Sequence, residues 1–360
     1  MRKTISIVLL LTWFMVAEVA KADFVFGEPN NLGTTVNSES YDDSASISAD
    51  GLELYFLSER PGGQGEADIW VTRRTTIDGA WGTPVNLGST INISSYDAGP
   101  CISSDGLSLY FTSFLPGGQG EDDLWVTMRT TVSDPWGPPV NLGSTVNCPT
   151  WDYDPSISAD ELELYFTSNR PGGHGGTDIW VAKRATTDDP WSEPVNIGPV
   201  VNTAIYSQSP SISADGLAIF FESNRSGGVG NSDIWMTMRA TTVDPWQEPV
   251  NLGPPVNSTG YEKMPDISAD GRTLYFGSNR SGGVSKWDLW QAPIIPIVDL
   301  NGDGIVDAAD MCIVVDNWGT DNKLCDIGPM PWGDGIVDVQ DLIVLAEHLF
   351  EEFPLAEPIE

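Results

Sequence analysis

Between residues 23 and 290, apolar and polar positions alternate over short runs, and a turn closes each run before any 3.6-residue helical period develops. In the stretch Tyr41 to Ser95, the run Ser46 to Phe56 predicts an inner strand around Ala45 to Ser48, an Asp-Gly turn and a second strand around Leu52 to Leu57. A glycine-rich turn at Pro61 to Gly65 leads to a third strand around Asp68 to Arg73, and Trp81 to Gly88 supplies a fourth, outer strand. The whole pattern then recurs. Asp50, Asp105, Asp160, Asp215 and Asp270 are spaced by 55 residues without slippage, as are Trp70, Trp125, Trp180, Trp235 and Trp290. One such unit could not bury its own apolar face, so the copies must stack on one another. Asp23 to Val36 repeats the end of a unit, with Phe26 in place of Trp81, Trp136, Trp191 and Trp246, whereas the fifth unit stops after Asp288 to Pro293. One end supplies what the other omits, which predicts an all-β five-bladed β-propeller over residues 23–291, closed by an amino-terminal strand.

Most recurring residues have an architectural explanation. Asp50 and its equivalents sit in Asp-Gly turns, and because Glu161 replaces the glycine in the third copy, the turn is not expected to demand a left-handed residue. Tyr55, Tyr110, Tyr165, Phe220 and Tyr275 offer packing surface between blades together with the tryptophans. Asp68, Asp123, Asp178, Asp233 and Asp288 are expected to hydrogen-bond local turns, and Arg60, Arg170, Arg225 and Arg280 to bridge them, with Leu115 breaking the pattern in the second blade. The Ser-x-Ser-x-Asp-Gly-x-x-Leu-Tyr-Phe-x-Ser-x-Arg-x-Gly-Gly segments, each followed by Asp-x-Trp, resemble the WD40-like Asp-containing repeats of the TolB-type propeller superfamily. That resemblance implies the fold. It leaves activity open, because such propellers serve both as non-enzymatic interaction modules and as parts of enzymes, and carbohydrate enzymes occur on other five-bladed propellers.

Differences between the copies are therefore more informative than their repetition. Each inner strand starts with a pair: Tyr41-Asp42, Tyr96-Asp97, Trp151-Asp152, Tyr206-Ser207 and Tyr261-Glu262, with Tyr153-Asp154 added in the third copy. If these positions rim the channel, Tyr41, Tyr96, Trp151, Tyr153, Tyr206 and Tyr261 form a ligand-binding ring suited to a sugar face or a cation. The same aromatics could equally fill gaps between blades. A glycosidase needs two carboxyl groups at a defined separation, one with a raised pKa, and Asp97, Asp152, Asp154 and Glu262 are the candidate catalytic set. His174 and His348 are the only histidines and lie in different modules, which argues against a Ser-His-Asp triad and a histidine-rich zinc site.

The remaining segments differ from the repeats. Residues 1–22 have a basic start, an apolar stretch from Ile5 to Val16 and small residues at Ala20 and Ala22, as in a secretory signal peptide, and nothing later is apolar for long enough to span a bilayer. A secreted or periplasmic location is expected, with cell-surface attachment if another module anchors the chain. Residues 292–297 read as a stiff linker, and residues 298–353 as a small α-helical module. Asp299, Asn301, Asp303, Ile305, Asp307 and Asp310 fall at positions 1, 3, 5, 7, 9 and 12 of a calcium loop, Ile305 through its carbonyl, and a helix follows over Met311 to Trp318. A second loop ends in Asp334, Ile336, Asp338 and Asp341 before a helix from about Val339 to Phe350, but counting back puts Trp332 and Met330 where ligands are wanted, and Asp326 reaches in only through a longer loop. The paired halves resemble a dockerin type I domain over residues 298–350. That resemblance implies one firm calcium site, a cohesin-like protein partner and partner-choosing residues at Ala308, Ala309, Val339 and Gln340.

Charge and cysteines narrow the reading. With 17 Lys and Arg against 51 Asp and Glu, the net charge of −34 leaves no basic surface for nucleic acid or an anionic bilayer. Cys312 and Cys325 share the tail and an oxidising compartment and are expected to pair, whereas Cys101 and Cys148 are expected to stay buried and unpaired. Together these features describe a secreted, non-catalytic binding protein whose propeller recognises a carbohydrate or protein and whose tail attaches it to a partner in polysaccharide degradation. The alternative is a polysaccharide-active hydrolase using channel carboxylates.

Overall fold

The computed structural model describes residues 24–93, 96–301, 304–320, 322, 325–328, 333 and 336–351; the expected signal peptide and the loop residues Asp303 and Asp334 lie outside them. Five antiparallel sheets surround an axis. The first contains Asp42–Ile47, Glu53–Ser58, Asp68–Arg73 and Val85–Asn86 in that order outward, and the next three repeat it. In the fifth, Glu262–Ile267, Thr273–Ser278 and Asp288–Pro296 are joined on the outside by Asn30–Asn31, with Asn30 opposite Gln291 and Asn31 opposite Trp290. The third strand of that sheet runs on through Pro296 and pairs with Phe24–Phe26. Residues 292–296, read from sequence as linker, are therefore sheet, because the amino-terminal segment gives their backbone a partner.

Apolar packing lies between neighbouring blades and not in one common core. Leu54, Phe56 and Trp70 of the first blade pack with Tyr275 and Leu289 of the fifth, and Phe220 and Met236 of the fourth with Phe276 and Trp290 of the fifth. Each third-strand aspartate ties down its own glycine turn. Asp68 accepts from Gln64 N at 2.5 Å, Gly65 N at 3.0 Å and Asn86 Nδ2 at 2.8 Å, and Asp288 accepts in the same way from Val284, Ser285 and Asn31 across the closure. An asparagine that the strand pattern does not single out also recurs. Asn92 accepts from Ile69 N and donates to Ile69 O, both at 2.9 Å, replacing a strand neighbour, and Asn37 does the same to Leu289 across 252 residues.

The Asp-Gly turn corrects one expectation. Glu161 adopts φ +58°, like the glycines at φ +68° to +73° in the other copies, so the turn does demand a left-handed residue and Glu161 is strained there. Helices Ala308–Asp316 and Val339–Glu347 pack on one another around Val306, Val314, Val337 and Leu345. All four cysteines are free thiols, Cys101 buried and Cys148 half-buried. Cys312 is exposed on its helix while Cys325 is buried in the apolar cluster, so the expected tail disulfide is not formed.

Candidate functional site

Every inner strand breaks register near its start, after its second residue in four blades and after its first, Gln208, in the fourth, and the next residue takes a left-handed conformation: Ser44, Gly99, Asp154, Ser209 and Met264, with φ between +48° and +54°. These bulges turn the start of each strand toward the axis. Two close approaches follow. A side chain at Gly99 would meet Asp154 Oδ1 at 2.8 Å, and one at Gly277 would meet Asp43 Oδ1 at 1.8 Å.

Below the bulges the channel is closed. Ser46, Cys101, Ser156 and Ser211 accept the amides of Ile102, Ile157, Ile212 and Ile267 at 3.0 to 3.3 Å, and Asp266 completes the ring by accepting Ile47 N at 2.8 Å. With four prolines above them, they leave a cavity of about 30 Å³, enough for water and too small for a sugar ring. Burial pushes the Cys101 thiol up to about 12 and the Asp266 carboxyl up to about 7.

Of the four carboxylates singled out from sequence, three form clasps within their own blades. Asp152 pairs with Arg170 at 2.5 Å and Glu262 with Arg280 at 3.2 Å, while Asp97, whose blade carries Leu115, accepts from Ser113 Oγ at 2.5 Å. All three are fully buried, and Asp42 makes the same clasp with Arg60. Asp154 differs. It is the left-handed residue of its strand, its amide donates to Thr112 of the preceding blade, and its Oδ2 accepts from Ser209 Oγ at 2.6 Å. Burial raises its pKa to about 6.

The structure gathers Asp154 with residues not anticipated from sequence. Glu222, on the second strand of the fourth blade, accepts from Ser232 Oγ at 2.8 Å through Oε1, while its Oε2 has no hydrogen-bond partner. Burial raises its pKa to about 7, against the stabilising charge of Lys263. Asp43, fully buried, accepts from Lys263 Nζ at 2.7 Å and from Tyr41 OH at 3.0 Å. Lys263 Nζ lies 4.0 Å from the centre of the Trp287 ring and 4.7 Å from that of Tyr41, and also donates to the Tyr41 hydroxyl. The available signal was blade-to-blade variation one step inside the strand start. Asp43, Ala98, Tyr153, Gln208 and Lys263 share one position, and Leu57, Thr112, Thr167, Glu222 and Gly277 another.

The expected aromatic residues divide in the same way. Trp287 stands between Tyr41 and Tyr261, with ring centres 5.9 and 5.8 Å away. Tyr261 and Trp151 are 40% and 43% exposed, so their faces remain open to a ligand. Tyr153 donates to Gln208 and Tyr206 to Ser232, which itself donates to Glu222, while Tyr96 packs on Leu57, Ala67 and Ala98.

In the tail, Asp310 Oδ1 accepts from Leu300 N and Asn301 N, and its Oδ2 accepts from Asp307 N; Asp341 accepts from Ile327 N, Gly328 N and Asp338 N in the same arrangement. The match sets Asp326 opposite Asp299 and Gly328 opposite Asn301. Asp326 thus takes the first loop position by way of a longer segment, and Gly328 brings no side chain to the third. Asp299 accepts from Gly304 N, and Asp307 and Asp338 cap the two helices through Ala309 N and Gln340 N. Ile305 and Ile336 are exposed, as are Ala308, Ala309, Val339 and Gln340 in the first helical turns.

No protein-family model and no curated relative matches the chain. Solved structures with a similar fold include a TolB from Agrobacterium tumefaciens, 19% identical over 72% of this chain and 79% of that one at a TM-score of 0.43. TolB from Acinetobacter baumannii is 14% identical over 75% of this chain and 63% of its own, with a TM-score of 0.44. An α-L-arabinofuranosidase from Podospora anserina, in complex with cellotriose, is 11% identical over 77% of this chain and 98% of that one at 0.49. Among the described residues no helix is long and apolar enough to cross a membrane.

Proposed function

We propose that the chain is a secreted, non-catalytic binding protein that presents an aromatic-rimmed propeller mouth to a carbohydrate or protein and is attached by a calcium-dependent, dockerin-like tail to a cohesin-type partner. The observation that carries this reading is the position of Lys263. Its ammonium is bonded to Asp43 and Tyr41 in the free protein and lends its charge to Glu222 and Asp154, so the mouth carboxylates face a cation where a hydrolase would need a sugar and its leaving group. The closed waist beneath leaves only the outer rim, with Trp151, Tyr261 and Trp287, for contact.

The tail is read as attachment because its donors suit calcium. Asp299, Asn301, the Ile305 carbonyl, Asp307 and Asp310 bring only oxygen, as a hard cation prefers, and Asp303 would add a further carboxylate. Among the described residues no three acidic side chains already form an ion site, so bound calcium would draw these acids together and couple binding to folding of the loop. Asp326, Asp338 and Asp341 support a weaker second site, consistent with the missing side chain at Gly328. Exposed Ala308, Ala309, Val339 and Gln340 would then face the partner.

Glu222 favours a second reading, an O-glycosyl hydrolase. Its pKa near 7 suits a general acid, and Asp43 and Asp154 lie at the same mouth as carboxylates for the complementary roles. The attachment reading is tested by calorimetry with and without chelator. Calcium should raise the transition of the tail by several degrees and leave that of the propeller unchanged, and Asp310→Ala should abolish the shift. A calcium shift that persists in Asp310→Ala would remove the assignment.

A further inference from the structure

We infer that the propeller mouth is a receptor for a primary ammonium group, that Lys263 occupies it in the free protein as a tethered surrogate, and that the ligand class is a glycan bearing amino sugars. The inference deepens the binding reading above and rests on it.

Asp43, Asp154 and Glu222 come from three different blades, and at each of their positions the other blades carry different residues, so the repeat itself does not require them. Each is more than nine-tenths buried. Clustering such groups away from water is unfavourable unless positive charge and hydrogen-bond donors meet them. Lys263 meets that need only in part. One ammonium serves three carboxyl groups, bonding to Asp43 and reaching Asp154 and Glu222 by charge alone, while the Gln208 side chain beside Glu222 leaves its Oε2 without a well-formed hydrogen bond. The mouth therefore has capacity for more donors and more positive charge than the chain provides.

The surroundings of Lys263 Nζ specify the kind of cation. It is bounded by a carboxylate and by two aromatic faces, Trp287 and Tyr41, the setting in which an alkylammonium gains both charge pairing and cation–π attraction. A metal ion would gain little from the rings, and a neutral sugar hydroxyl would leave the charge unmatched. An amino sugar offers an ammonium for the carboxylates and a ring face for Tyr261 and Trp151, which remain open at the rim. Because Lys263 is held by a flexible stem, an incoming ammonium can displace it without moving the strand.

The test is a calorimetric titration of the full chain with three tetrasaccharides, fully deacetylated glucosamine, N-acetylglucosamine and cellotetraose, and with calcium alone. The proteins are the wild type, Lys263→Met, Glu222→Gln and Lys263→Met/Glu222→Gln. Removing the surrogate should tighten binding of the deacetylated tetramer at least tenfold, leave the other two sugars unchanged, and lose the gain when Glu222 is also replaced. Should Lys263→Met fail to fold, the wild type still decides, since Glu222→Gln alone should weaken its binding of the deacetylated tetramer at least tenfold. Equal affinity for all three tetramers would overturn the ammonium assignment while leaving a glycan-binding face. Displacement of the sugar by calcium through the mouth carboxylates would overturn it in favour of a metal site. Binding of no tetramer by any variant would overturn both the assignment and the glycan-binding reading beneath it.

Discussion

Glu161 shows how a single residue can keep a repeat's backbone while lacking its preferred side chain. It holds φ +58° where the other copies have glycine, and its partial compensation is a 3.5 Å ion pair with Arg184. Glu161→Gly should stabilise the propeller by about 1 kcal/mol in urea unfolding, because relief of the left-handed backbone outweighs a single partly buried ion pair whose 3.5 Å separation and desolvation leave it little net gain. Burial acts on protons at the channel. Glu222, Asp154 and Asp266 have folded pKa values raised to about 7, 6 and 7, so between about pH 4.5 and 7 the folded state binds more protons than the unfolded one. Their contribution is full below the unfolded value and is lost as pH rises through the folded value. The propeller should therefore lose stability from pH 5 to 7.5, and Glu222→Gln should flatten that slope by on the order of 2 kcal/mol. Glu53 and Glu163, whose pKa values are lowered by hydrogen bonds from Tyr55, Tyr165, Arg73 and Lys183, act with the opposite sign, but only below their ordinary value near 4.5. Chemical denaturation at several pH values separates the two windows.

At the scale of elements, closure depends on polar side chains as much as on strand pairing. Asn37 holds both backbone groups of Leu289, and Asn31 holds Asp288, so the amino-terminal segment is fixed to the last blade through the hydrogen bonds that other blades make internally. Asn37→Ala should cost about 1 to 3 kcal/mol and expose the segment around Phe24–Phe26 to limited proteolysis. Asn147→Ala, which removes the same pair of hydrogen bonds inside one blade, should cost a similar amount without that exposure. The blade count and the complementary ends were legible because a fixed period of 55 residues fixes what must stack on what. The bulges were not, because a left-handed Ser44, Asp154, Ser209 or Met264 follows from crowding around the axis, which no local pattern encodes. For the same reason the repeat places Asp154 two residues beyond the shared position of Asp97, Asp152 and Glu262 without telling which of the two positions turns to the channel. Adjacent residues on a strand face opposite sides, and the register break reassigns those sides.

For the molecule as a whole, five blades supply a ring whose axis is closed beneath its mouth, and the proposed binding role rests on that mouth and on the tail. The mouth is built from the positions where the repeats disagree, Asp43, Glu222, Lys263 and Trp287, and the tail from a second kind of repeat with its own paired helices. Binding without turnover is the central claim. Its most direct test is to incubate the calcium-loaded protein with a panel of insoluble polysaccharides, measure the fraction retained, and analyse the supernatant by mass spectrometry. The expected result is retention on at least one polysaccharide, reduced several-fold by Trp287→Ala, with no soluble oligosaccharide released. Release of defined oligosaccharides that ceases in Glu222→Gln would contradict it and make the mouth a hydrolase active site.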